Sequence, residues 1–140
     1  MSDPAVVAKL LLARCESLSV GSPAMPVAMP DVSFTPPVDG KGKPKPYLRV
    51  SLFPNAPFWA ALAVGRVDQG LLQVTVVWPK LKGNIKPIAA AGQVIAHFPK
   101  GLVLSEGATR VKISGDAWHG APVPDDTETL IAVTIPWRAA

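Results

Sequence analysis

Gly70-Leu71-Leu72-Gln73-Val74-Thr75-Val76-Val77-Trp78-Pro79 is the stretch on which the fold reading turns. Leu72, Val74, Val76 and Trp78 alternate with Gln73 and Thr75, so one face is apolar and the other more polar. That period of two belongs to a half-buried strand. Pro79 has no amide hydrogen for a ladder and ends the run. Upstream, Tyr47 to Phe53 repeats the pattern, with Leu48, Val50 and Leu52 on one face and Tyr47, Arg49 and Ser51 on the other; Pro54, Asn55 and Pro57 are expected to stop it. Two further strands are expected at Arg110 to Ser114 and Leu130 to Trp137, and a short one around Met25 to Phe34.

Two amphipathic helices accompany these strands. Asp3 can cap the first, Pro4 suits its first position, and Val7, Leu10, Leu11 and Leu18 recur at helical spacing, predicting an end near Ser19 to Gly21. Asn84 can cap the second, with Pro87 in the first turn and Ile88, Ala91, Gly92, Ile95 and Phe98 as its apolar stripe. Pro99 and Gly101 close it. The order of helix, strands, helix, strands favours an α+β domain: one small mixed or mainly antiparallel sheet with two helices packed on one face.

At 140 residues the chain is the size of one domain, residues 1–140. Hydrophobic residues at 49% against 17% charged exclude a disordered tail, while 16 prolines and 11 glycines argue against long uninterrupted helices. The single cysteine, Cys15, can make neither an internal disulfide nor a Cys-rich zinc site. The apolar run Leu10 to Ala13 is too short for a signal or a membrane span, so a soluble, unprocessed protein without membrane contact is expected. A formal charge of +4 permits a nucleic-acid partner without requiring one.

No convergent set of chemical groups emerges. His97 falls in the last turn of the second helix, where a positive charge would favour the helix dipole. His119 lies in a turn near Asp116, and an Asp with a His does not make a metal site. Asp125, Asp126 and Glu128 lack the spacing and glycine of a calcium loop and read as a solvated turn. Phosphate-cradling, nucleophile-elbow and zinc-helix motifs are missing. The expectation is therefore no catalytic residues, no metal and no cofactor.

Two features point to partners. Pro36 to Pro46 reads as a flexible loop rich in Pro, Gly and Lys, in which Lys41, Lys43 and Lys45 are either a solvated linker or a contact with DNA phosphate or an acidic protein surface. Trp59, Trp118 and Trp137 sit beside turns or chain ends, where they either cap the core or belong to an interface.

Four segments carry a resemblance: Tyr47 to Pro57, Gly70 to Pro79, Ile95-Ala96-His97-Phe98-Pro99-Lys100-Gly101 and Val133-Thr134-Ile135-Pro136-Trp137-Arg138. In order, and with Arg66 ahead of Gly70, they resemble the tail-terminator-like family of tailed bacteriophages. Phe53 stands where that family tends to have a smaller aliphatic residue. The resemblance implies a virion structural protein, not an enzyme and without cofactor, assembled in the bacterial host cytoplasm. It would form a hexameric ring on the head-proximal end of the tail tube, end tube polymerisation and offer a surface for head-tail joining. Its partners would be further copies of itself, the tail tube protein and the head-tail connector protein, with non-specific contact to passing DNA at the lysine loop. Trp59, Arg66, Trp118 and Trp137 become candidates for ring or tube contacts. The alternatives are another connector or tail-completion protein, a nucleic-acid-binding module, and a small enzyme.

Overall fold

The structure is a computed structural model that describes residues 3–21, 24–61 and 65–139. Its elements are α1 (Pro4–Glu16), β1 (Val27–Ala28), β2 (Tyr47–Ala61), β3 (Gly65–Pro79), α2 (Ile85–His97), β4 (Val103–Glu106), β5 (Thr109–Ile113), β6 (Trp118–His119), β7 (Val123–Pro124) and β8 (Glu128–Ala139). The strands form one sheet in the order β1-β2-β3-β8-β5-β4, and the short β6 and β7 also pair with β8. β1 runs parallel to β2 and the other pairs are antiparallel.

This architecture corrects the expected small sheet with helices packed on one face. The described residues are 43% strand and 20% helix, with one large eight-stranded sheet curled into a half-barrel. Three local causes explain the difference. Pro54 and Pro57 do not stop β2: Pro54 pairs with Gly70 and Pro57 falls in a register shift between Asn55 and Phe58, so the ladder continues to Ala61. A proline on an edge strand gives up a hydrogen that no neighbour needed, and a bulge absorbs the second one. The residues read as a loop after Asp116 instead supply β6 and β7, which together with β5 tile one long edge of β8. Long twisted strands with bulges coil rather than lie flat.

Leu48 and Val50 of β2, Leu72, Val74 and Val76 of β3, Ile131, Val133, Ile135 and Trp137 of β8, and Val111 and Ile113 of β5 face one core. Val7, Leu11 and Cys15 of α1, Ala90, Ala91 and Val94 of α2, and Phe98 just after α2 complete it. Burying each of the Val, Leu, Ile and Phe side chains among these stabilises by about 1.5–3 kcal/mol before entropy is counted. The opposite face of β2, β3 and β8 is not bare. Ala28, Tyr47 and Val77 form a second cluster with Phe34 and Leu130, and the Phe34 and Tyr47 rings lie 5.1 Å apart. Val77 breaks the polar half of the alternation because the 28–34 segment covers it.

Asp3 caps α1 as expected, accepting from the Ala5 amide at 2.9 Å, but the helix ends earlier. Ser17 closes it: its amide reaches the Ala13 and Arg14 carbonyls, and its hydroxyl donates to the Arg14 carbonyl at 2.7 Å. Leu18 and Val20 then enter the core without helical geometry. Asn84 stands at the N-cap of α2 without a side-chain cap hydrogen bond.

Candidate functional site

The first surface grows from the register of β2, β3 and β8. Pairing of β3 with β8 ends at Asp68–Ala139, whereas pairing of β2 with β3 runs on to Ala61–Gly65. The other edge of β2 meets β1 only at Leu48 and Arg49. The hairpin therefore extends past the third strand as an arm. Glycine at position 70 sets its base: a Cβ there would lie 2.6 Å from the Phe53 carbonyl oxygen, 2.6 Å from a Trp137 ring carbon and 2.9 Å from the Pro54 Cα. The indole of Trp137 occupies the room that the missing side chain leaves. Along the arm, Trp59 pairs with Arg66, whose guanidinium meets Asp68 Oδ1 at 3.1 Å, and the Arg138 guanidinium stands 5.0 Å from the centre of the Phe58 ring. Phe53 is half-exposed.

Of the tryptophans singled out from sequence, Trp118 is half-exposed on β6, at the edge of β8. The side chain of Trp59 lies outside the described residues. Trp137 is buried in the core, and its indole nitrogen is the buried polar atom without a hydrogen-bond partner among the described residues. A small cavity of about 190 Å³ at the base of the arm brings Trp137 and Arg66 together with Val7, Leu52 and Pro57.

The second surface is basic. The 36–46 loop is held by its own hydrogen bonds: Val38 bridges Pro44, the Asp39 amide meets the Lys43 carbonyl at 2.9 Å, and the Asp39 carboxylate accepts from the Lys41 and Lys43 amides at 2.8 and 3.0 Å. Those two amides, with the Lys45 charge, hold the Asp39 carboxyl below its usual range. Lys43 and Lys45 turn into an open cleft of about 780 Å³; Lys41 does not line it. Lys80, Lys82 and Lys86 line the same cleft from the β3–α2 turn and the first turn of α2. These three are not evident as a site from sequence: Lys80-Leu81-Lys82-Gly83-Asn84-Ile85-Lys86 is a visible charge run, but locally it marks only a strand stop and a helix cap. Leu81 and Ile85 are 91% and 82% exposed, and Leu81 holds a left-handed φ of 65°.

His97 lies in the last turn of α2 as expected, and its ring reaches the end of α1. Its ring nitrogen lies 2.8 Å from the Ser17 hydroxyl and 3.0 Å from the Arg14 carbonyl. Burial and the Arg14 charge lower its pKa against the opposing hydrogen bond to that carbonyl, so the neutral ring is favoured. Arg14 supplies the cation at the C-terminus of α2, donating to the His97 carbonyl at 3.1 and 2.8 Å. The two helix ends clasp each other. His119 Nδ1 contacts the neighbouring Gly120 carbonyl, and Asp125 accepts from the Asp126 amide. Among the described residues no group of His, Cys, Asp and Glu side chains could hold a metal, and no helix is long and apolar enough to cross a membrane.

One solved structure, 28% identical in sequence, covers 95% of this chain and 95% of its own with a TM-score of 0.71, so the half-barrel and its helices are a shared architecture. No curated protein matches. The family model for the phage tail terminator protein matches residues 6–137, nearly the whole half-barrel with both helices, and the chain thus belongs to the phage tail terminator family.

Proposed function

We propose that this protein forms a ring, hexameric in number, that caps the head-proximal end of the phage tail tube, ends tube polymerisation and offers the surface to which the head is joined. Membership in the terminator family gives the coarser statement, a structural role in tail completion as part of the virion tail. The observation that carries the finer reading is the β2–β3 arm, which outruns β8 and so presents side chains with no third strand beside them among the described residues. A ring needs contacts between two different surfaces of the same subunit, and a projecting arm is one such surface. Pro54 and Pro57 remove amide donors from β2 at the base of the arm, which discourages strand-on-strand polymerisation there and leaves Phe58 and Arg66, with Phe53 at the base, to make contacts through side chains. Trp118, on β6 away from the arm, is a candidate for the complementary surface. The tail tube protein and the head-tail connector are the proposed partners, and assembly takes place in the host cytoplasm.

Native mass measurement and negative-stain images test this reading, on the protein alone and after mixing with tail tubes. A hexamer in solution, or a monomer that becomes a ring on tube ends, is expected, and tubes assembled with the protein should stop growing. A stable dimer in both settings, or tubes that elongate unchecked, would overturn it.

A further inference from the structure

We infer that the lysine-lined cleft between the 36–46 loop and the β3–α2 turn is a docking site for an acidic polypeptide segment that also carries aliphatic side chains, contributed by a protein other than this one. Five of the chain's nine lysines, Lys43, Lys45, Lys80, Lys82 and Lys86, line one cleft, although they come from two segments far apart in sequence. The carboxylate that shares the lining, Asp39, is turned into its own loop by the Lys41 and Lys43 amides. Asp125 and Asp126 stand on the neighbouring turn, which the Lys80 amide joins through the Thr127 carbonyl at 3.2 Å, and Glu128 opens β8 after it. Among the described residues, none of these carboxylates forms an ion pair with the five lysines. Like charges crowded around a concavity leave a field that an acidic partner relieves.

Charge alone would suit a nucleic acid equally well, and the apolar groups decide between them. Ile85 lines the cleft beside Lys86, and Leu81, between Lys80 and Lys82 in sequence, stands next to the lining rather than in it; both are almost fully in water. Leu81 is also held at positive φ, a conformation that leucine seldom adopts. A sugar-phosphate backbone offers nothing to such side chains, whereas an acidic segment with leucine or isoleucine satisfies both features. None of the five arginines, the residue best shaped for phosphate, lines the cleft. Lys41 at the rim would steer rather than hold. This inference goes beyond the capping role and stands whether or not a ring forms.

The test is fluorescence anisotropy with the whole protein and three labelled probes: an Asp/Glu-rich peptide carrying two leucines, the same peptide with serines for the leucines, and a DNA duplex of matched charge. The leucine peptide should bind about tenfold more tightly than the serine peptide, with affinity falling as salt rises. Leu81→Ser with Ile85→Ser should erase that difference while keeping the salt dependence. Lys82→Glu with Lys86→Glu should abolish binding, whereas Lys100→Glu with Lys112→Glu, an equal charge change elsewhere, should leave it within about twofold. All substituted positions are exposed, and circular dichroism checks that each variant is folded. Equal binding of the two peptides, tighter binding of the duplex, or equal loss from both charge-swapped pairs would overturn the proposal.

Discussion

Replacing Gly70 with alanine tests the three-strand row at the base of the arm. The new Cβ would meet the Phe53 carbonyl and a Trp137 ring carbon at 2.6 Å, with the Pro54 Cα at 2.9 Å, whereas ordinary contact begins at 3.4 Å. Something must move by the better part of an ångström, and two of the three obstacles are backbone. Overpacking of this kind costs about 1–3 kcal/mol, and the lower entropy of the unfolded alanine chain returns roughly 0.4–1 kcal/mol. The net loss should be about 1–2 kcal/mol, or a midpoint lower by roughly 3–8 °C for a domain of this size. Gly92 is the matched control: it lies exposed within α2, and a Cβ there meets nothing within 4 Å. Gly92→Ala should stabilise by roughly 0.5–1 kcal/mol. Urea and thermal unfolding of the two variants beside the parent give opposite signs if Pro54, Gly70 and Trp137 share one row. A Gly70→Ala protein as stable as the parent would refute that register and, with it, the geometry of the arm.

Cys15 is fully buried, and burial together with the Glu16 charge pushes its thiol pKa up to about 12, so at mildly alkaline pH a disulfide reagent should label the native protein only as fast as it opens. Rapid stoichiometric labelling of the folded chain would contradict its place in the core. Because the neutral His97 ring is favoured in the native state, the unfolded chain takes up a proton first as pH drops through the ordinary value of 6.5. Stability should fall there and level off once the native ring is protonated too. His97→Gln should flatten that limb, and a proton NMR titration of His97 with a midpoint at or above 6.5 would show the sign to be wrong.

Sequence by itself determined the elements whose signals are local. Alternation at Leu72, Val74 and Val76 marked β3, the Asp3-Pro4 pair marked the start of α1, and the four segments around Phe53, Gly70, Phe98 and Trp137 carried the family. The strand and the helix start follow from period and capping chemistry, which act within a few residues, whereas the family rests on the resemblance of the segments. Tertiary structure alone decided what depends on neighbours. Pro54 and Pro57 are tolerated because β2 lies at an edge and bulges, Val77 is apolar because the 28–34 segment covers it, and Gly70 is needed because the Trp137 ring fills its place. Lys43 and Lys45 gain their meaning only where the chain folds Lys80, Lys82 and Lys86 against the same cleft. Burial, and with it the charge of Arg14 on the other helix, holds the His97 pKa below its ordinary value. Partners distant in sequence set burial, register and field, and no local pattern records which partners those will be.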